Sequence, residues 1–442
     1  MSTLVLIPSD PAEAGRLHGS LAADALRARL ALMHQVAGRA PVSRGELEER
    51  AQRFAACLKR IAPAWLDEAE AMASAAGVDA TDLLALNALR SSFWNQAGGC
   101  TSALVTGSAS SESVTLLHKN RDLIATVQDA FVRLRHDGGR HFASRDIGSL
   151  GYAHFHGDCA LAGGNNTGSP IPDDELHDCA LNCTHLLRLV AERASSCDEA
   201  LAVLEDAVAK GVAGGSGGFR GMIFLFAEPA KGVVVEMTSR RLAHREVADG
   251  TLMRSNHFRL DQMLPYRAQE PVANTLRRCE RAEELLAPLD AVSPADLVRL
   301  SRDRQHDPDA LCTSDAHHAW MTVSACTHVV REGALDPTAC THASIGNPRN
   351  TLCLPLPRAI DGLPAECASG EFYQLAEAVR AGHGMGDHLA AAQAHENDLR
   401  AGLAKLAAAL TGQPAERVRA ELTAFTADTI ERVSRVLRRF GS

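Results

Sequence analysis

The chain has 442 residues, 46% hydrophobic and 22% charged, an ordinary globular composition long enough for two or three domains, or one large one, without disulfide staples. Its formal net charge of −9 includes no long run of one sign, which argues against nucleic acid or an anionic membrane surface as a partner. No stretch approaches the roughly 18 apolar residues of a membrane-spanning helix. The opening MSTLVLIPSDPAEAGRLHG lacks the basic and apolar regions of a secretory signal, so a cytoplasmic protein with twelve reduced cysteines is expected.

Residues 12–99 read as helical. PAWLDEAEAMASAAG places Pro63 at a first helical turn and Gly77 just past the end, and VDATDLLALNALRSSF opens with Asp79 or Thr81 as N-cap. The character changes at Cys100. CTSALVT and SVTLLHK are short β-like runs separated by the turn-forming GSASSE, followed by AFVRLRH, RHFASRD and GYAHFHG. Residues 180–210 return to helix, broken near SSCDEA. GMIFLFAEP and GVVVEMTS form a strand pair across AEPAKG, and residues 272–301 are helical. HAWMTVSACT, THASIGN and TLCLPLP read as strands. From 371 the chain is helical, with breaks at Gly382/Gly384 and Gly412–Pro414. In the last helix Val418, Leu422, Phe425, Val433, Leu437 and Phe440 form an apolar stripe that needs a partner surface, the chain's own helical layer or a second copy. The order helices, strands, helices, strands, helical tail predicts an α+β sandwich with helices outside stacked sheets.

GGSGG at 214–218 matches the G-x-S-x-G pattern around Ser216, but a helix precedes it and a strand follows, the reverse of a nucleophile elbow, so it reads as a loop. Three CTH tripeptides occur, at 183–185, 326–328 and 340–342. Cysteine and histidine ligate zinc, but alternate residues of a strand share a face anyway. With no C-x-x-C pair and no H-E-x-x-H helix, neither a metal nor a cofactor is expected.

Cys100 is different. Gly98 and Gly99 precede it in AGGCTSA, and glycine tolerates the strained geometry in which a side chain attacks the carbonyl before it. Attack by the Cys100 sulfur on the Gly99 carbonyl carbon would give a thioester that water cleaves. The new chain would begin with a residue carrying both a thiol and an α-amine of pKa about 7.7–8, a base for its own nucleophile. HKNRD ends the next strand-like run at Asp122, and a hairpin would bring it back beside Cys100.

These residues resemble the isopenicillin N acyltransferase (acyl-CoA:6-aminopenicillanic acid acyltransferase) family of cysteine N-terminal-nucleophile (Ntn) hydrolases. GRLHG resembles its opening glycine motif, IAPAWLDEAEAMASAAGVDATDLLALN its helical segment before the cut, and GGCTSALV its Gly-Cys-Thr processing site. LHKNRDL resembles its Asn-x-Asp segment, LAGGNNTGSP its Gly-x-Asn-x-x-Gly loop, and LMRSNHF its Asn-His-Phe segment. Arg121 departs from the aromatic of the penicillin enzyme, and residues 371–442 do not align.

The resemblance implies a four-layer αββα fold, autoproteolysis and amide chemistry. Residues 1–99 would be released as a small α subunit, 100–370 would form the catalytic core, and 371–442 a helical extension. Cys100 would be the nucleophile and Gly99–Cys100 the cleavage site. Asp122 would help hold the α-amine and Asn256 would donate to the oxyanion. Arg349, with Arg331 as rival, would supply a catalytic arginine, and Asn165 and His257 would be substrate or oxyanion contacts. The expected function is hydrolysis of a small N-acyl or amide substrate through an acyl-cysteine. Acyl transfer to an amine and a degenerate binding scaffold are the alternatives. The partners would be the small substrate, the chain's own cleaved fragment in an α/β heterodimer, and a second copy in a homodimer.

Overall fold

The protein is described here by a computed structural model covering residues 4–37, 43–88, 99–124, 128–134, 140–216, 219–313, 320–382, 386 and 388–441. Gly98, Gly384 and the end of the predicted helix before Cys100, RSSFWNQAGG up to Gly98, lie outside the described residues.

Leu4–Ile7 forms strand β1, followed by helices α1 (Pro11–Leu21), α2 (Ala23–Ala37), α3 (Arg44–Ile61), α4 (Ala64–Ala76) and α5 (Ala80–Ala88). Local chemistry sets their ends. Asp10 caps α1 by accepting from the Glu13 N–H, with Pro11 at the first helical position. Gly77 closes α4 at a φ of +67°, a conformation glycine adopts without cost. Gly15 and Gly19 lie on one face of α1, and a Cβ at either would run into the backbone carbonyl of Glu68 or Met72 on α4. The GRLHG sequence therefore has a packing reason: two glycines let α1 press against the backbone of α4.

From Cys100 the chain alternates strands and helices: β2 (Cys100–Thr106), β3 (Thr115–Ile124), β4 (Gln128–Leu134), β5 (Arg140–Asp146), β6 (His154–Gly157), β7 (Ala162–Pro170), α6 (Cys183–Arg193), α7 (Cys197–Ala209), β8 (Arg220–Glu228), β9 (Lys231–Met237), β10 (Leu242–Val247), β11 (Gly250–Arg254), α8 (Ala273–Leu286), α9 (Pro294–Leu300), β12 (Trp320–Val330), β13 (Cys340–Ile345), β14 (Leu354–Pro357), α10 (Ala365–Ala368), α11 (Glu371–Ala381), α12 (Leu389–Leu410) and α13 (Ala415–Phe440). Among the described residues they build an eight-stranded sheet, β1-β4-β5-β6-β7-β8-β9-β10, and a six-stranded sheet, β11-β2-β3-β12-β13-β14. All pairings are antiparallel except β1 with β4.

Period-two alternation assigns the faces. Ile223 and Leu225 of β8 meet Leu104 and Leu117 between the sheets, while Phe224 and Phe226 turn outward onto α2–α7. Ala103 and Val105 of β2 face the other helical layer, with residues of α8, α9 and α11–α13. The result is the expected αββα sandwich.

Two differences from the sequence reading stand out. Leu4–Ile7 is a strand, so the segment before Cys100 contributes to a sheet as well as to a helical layer. LAGGNNTGSP is strand β7 rather than a loop. The tail is also built into the sandwich: Val418, Leu422, Val433 and Leu437 are buried in the core that covers the six-stranded sheet. Buried Glu396 of α12 bonds Arg302 at 2.6 and 3.0 Å and accepts from the Cys353 N–H at 2.6 Å.

Candidate active site

Cys100 is the first residue of β2, half-buried, and pairs with Arg121 of β3. Just before it, the Gly99 carbonyl oxygen accepts from the Asp122 backbone N–H at 2.8 Å. A Cβ at Gly99 would lie 2.9 Å from Arg278 Nη2 and 2.9 Å from Asp122 Oδ2. Only glycine fits there without displacing two charged groups.

The Cys100 N–H donates to Asn256 Oδ1 at 2.9 Å, and Arg278 Nη2 donates to the same oxygen at 2.7 Å. Arg278 Nη1 donates to the Cys100 carbonyl at 2.7 Å and to Thr101 Oγ1 at 3.1 Å. Asn256 follows β11. Its Nδ2 donates to the Thr167 carbonyl and its N–H to Thr275 Oγ1 of α8, at 2.9 and 2.8 Å. These contacts set the amide's orientation, with its oxygen toward the nitrogen of Cys100 and its Nδ2 toward the Thr167 carbonyl.

Asp122 is fully buried on β3, a central strand of its sheet. Thr322 Oγ1 of β12 donates to Oδ1 at 2.7 Å, and Arg278 Nη1 lies 3.9 Å from Oδ2, which has no hydrogen-bond partner. Burial pushes the carboxyl up to about 6, although Arg278, Thr322 and Lys119 all pull it down. Beside it, Arg121 pairs with Asp146 of β5 at 2.9 Å, an ion pair joining the two sheets next to Cys100.

The structure brings Gly99, Cys100, Asp122 and Asn256 together and adds Arg278, which the sequence reading did not select. Thr275, Arg278, Cys279, Ala282 and Leu286 form the buried stripe of α8. A charge at a core-facing helical position was the signal available. Arg349 instead donates to the Arg302 carbonyl at 3.1 Å, and Arg331 pairs with Glu112 on a partly exposed surface. Asn165 donates from Nδ2 to the Tyr152 carbonyl at 2.8 Å. Its neighbour Asn166 connects to β2 and β3, accepting from Ser102 Oγ at 2.8 Å and Lys119 Nζ at 2.9 Å. His257 Nδ1 lies 3.0 Å from Thr275 Oγ1 and 3.1 Å from Ser255 Oγ, and burial lowers its pKa to about 4, so it is a neutral bracket between this loop and α8. Ser216 precedes β8 and donates to Thr167 Oγ1 at 3.0 Å, in a loop as expected.

Residues 174–325 match a known protein-family model. The matching family is acyl-coenzyme A:6-aminopenicillanic acid acyl-transferase. The match contains Asn256, Arg278 and Thr322, while Cys100 and Asp122 precede it. A comparison with curated protein sequences gave no match. Among solved structures, a variant of the conjugated bile acid hydrolase from Clostridium perfringens is similar at 10% identity and a TM-score of 0.40, covering 58% of this chain and 92% of that one. The N-acylethanolamine-hydrolyzing acid amidase ortholog of Caenorhabditis elegans is similar at 10% identity and a TM-score of 0.36, covering 53% of this chain and 95% of that one. No helix among the described residues is long and apolar enough to cross a membrane.

Proposed function

We propose that the chain is an Ntn-type amide hydrolase or acyltransferase that cleaves itself between Gly99 and Cys100 and then acts on a small N-acyl substrate through an acyl-cysteine. The observation that carries this reading is the set of contacts at one peptide bond. The nitrogen of Cys100 is held by Asn256, the carbonyl oxygen of Gly99 by the Asp122 N–H, and the unpartnered Asp122 Oδ2 lies beside Gly99.

In self-cleavage, Cys100 Sγ attacks the Gly99 carbonyl carbon. The Asp122 N–H is the donor for the charge that builds on the Gly99 oxygen. The C–N bond breaks, the nitrogen takes the proton that the thiol gives up, and a thioester joins Gly99 to Sγ. Water hydrolyses it, leaving a Gly99 carboxylate, a free thiol and a Cys100 α-amine. Asn256 Oδ1 and Asp122 Oδ2 are the acceptors for that amine, which takes the thiol proton when an amide substrate is attacked and passes it to the substrate nitrogen as the C–N bond breaks, so that a free amine leaves and the acyl group stays on Sγ. The second N–H of Asn256 Nδ2 is the donor for the substrate oxyanion. Water releases the acyl group as an acid, and an amine in its place makes the same step a transfer. The family's own acyl-transferase description keeps transfer as the second reading.

The test is a denaturing mass spectrum after incubation with a panel of N-acyl compounds. An acyl adduct on the peptide beginning at Cys100 supports the reading and reports the acyl group. Turnover of an N-acyl compound by Cys100→Ala at the wild-type rate refutes it.

A further inference from the structure

The gap between the sheets is lined with histidine where β6 faces β12. Cys326 and His328 of β12 share a face, with Sγ 3.5 Å from Nε2. His328 Nδ1 is bonded to Thr341 Oγ1 at 2.8 Å, which fixes the ring and directs Nε2 toward the thiol. Across the gap, the His154 ring lies 5.1 Å from that of His328, centroid to centroid. The ligand atoms of His154, Cys326 and His328 lie within 4.8 Å of one another, all in buried residues. His154 is 3% exposed, and its Nδ1 has no hydrogen-bond partner.

We propose that His154, Cys326 and His328 form a binding site for a thiophilic d10 cation, Zn2+ or Cu+, that ties the two sheets together. Zinc bonds of about 2.3 Å to sulfur and 2.0–2.1 Å to nitrogen at tetrahedral angles separate such ligands by about 3.6 Å, close to the spacing already present between Cys326 and His328. A thiolate with two imidazoles selects zinc or copper over the oxygen-seeking Mg2+ and Ca2+. The bond between Thr341 and His328 supplies the outer contact that typically orients a ligating histidine. On binding, the Cys326 S–H proton leaves to solvent and the sulfur lone pair takes its place on the metal. His156 lies on the same face of β6, with its ring 5.3 Å from that of His328 and its Nε2 unpartnered. It is placed to complete a four-coordinate Zn2+ site, whereas three ligands satisfy Cu+.

Cys340 and His342 of β13 supply an internal control. Their Sγ–Nε2 distance is also 3.5 Å, but His342 is registered against Thr327 and so faces away from the gap. Among the described residues no third ligand joins that pair.

The test uses the full-length protein, stripped with a chelator, dialysed, and titrated separately with Zn2+, Co2+ and Cu+. About one equivalent of metal should be retained, and the Co2+ form should show a near-ultraviolet thiolate-to-cobalt absorption band. Cys326→Ser should abolish the band, and His154→Gln, the variant that keeps the β12 ligands, should weaken binding at least tenfold or so. Cys340→Ser should change neither. Weakening of Zn2+ but not Cu+ binding by His156→Gln distinguishes the four-coordinate site from the three-coordinate one, and either supports the proposal. Substoichiometric metal in the wild type, or undiminished binding in folded His154→Gln, overturns it.

Discussion

At Asp122, burial and chemistry pull in opposite directions. The carboxyl titrates near 6 in the folded chain and near 3.9 when unfolded, so it holds its proton longer when buried. Between roughly pH 4 and 6 the unfolded state ionises first and stability falls as pH rises, with the penalty fully present above 6. Asp122→Asn should therefore melt at a higher temperature than wild type at pH 8 and at nearly the same temperature at pH 4. The same variant should lose turnover, because the acceptor beside the α-amine becomes a neutral amide. Wild-type kcat/KM should fall on the acid side as Asp122 and the α-amine take up protons, and a profile flat down to pH 5 would exclude this role. Asn256→Ala removes the acceptor of the Cys100 N–H and a candidate oxyanion donor together. A loss of about 100- to 1,000-fold in kcat is expected, with a smaller change in KM. Turnover close to wild type would leave Asn256 as a loop tie only.

At the level of elements, the glycines of α1 and the ions beneath α4 govern how the N-terminal helices meet the eight-stranded sheet. Glu68 of α4 is fully buried between Arg145 of β5 and Arg188 of α6, at 2.7 and 2.5 Å. Glu68→Gln removes the charge that both guanidinium groups face, and a loss of about 3–5 kcal/mol, read from chemical denaturation, is expected. Leu422 of α13 is completely buried beneath the tail, so Leu422→Ala should cost about 2–5 kcal/mol. Self-cleavage should survive in this variant wherever it is folded, because α13 packs on β14, at the opposite end of its sheet from β11 and β2. A folded but uncleaved Leu422→Ala protein would mean that the tail shapes the site.

How much of this was legible depends on range. CTSALVT and GMIFLFAEP announced strands because β-branched and apolar runs meet turn residues locally, and Cys100 stood out because its glycines are adjacent in sequence. Arg278 did not, since what makes it part of the site is the seating of α8 against β2 and β11, a contact across 178 residues. The Cys-Thr-His pairs were visible as pairs, but only the facing of two sheets brings His154 to one of them. LAGGNNTGSP reads as a loop through its resemblance to a Gly-x-Asn-x-x-Gly motif, yet there β7 runs between β6 and β8 with glycines against Phe155 and Phe258.

At the scale of the whole molecule, the segment before Cys100 is woven into the sandwich: β1 pairs with β4, and α2–α5 share one core with α6 and α7. Cleavage should therefore leave a heterodimer that migrates as one species on a sizing column and separates only in denaturant. The most direct measurement is N-terminal sequencing combined with intact mass of the purified, denatured protein. The expected result is two fragments, one ending at Gly99 and the other beginning Cys-Thr-Ser, with Cys100→Ala remaining a single chain. A folded wild-type protein that still carries one intact chain after prolonged incubation would contradict self-processing at Cys100.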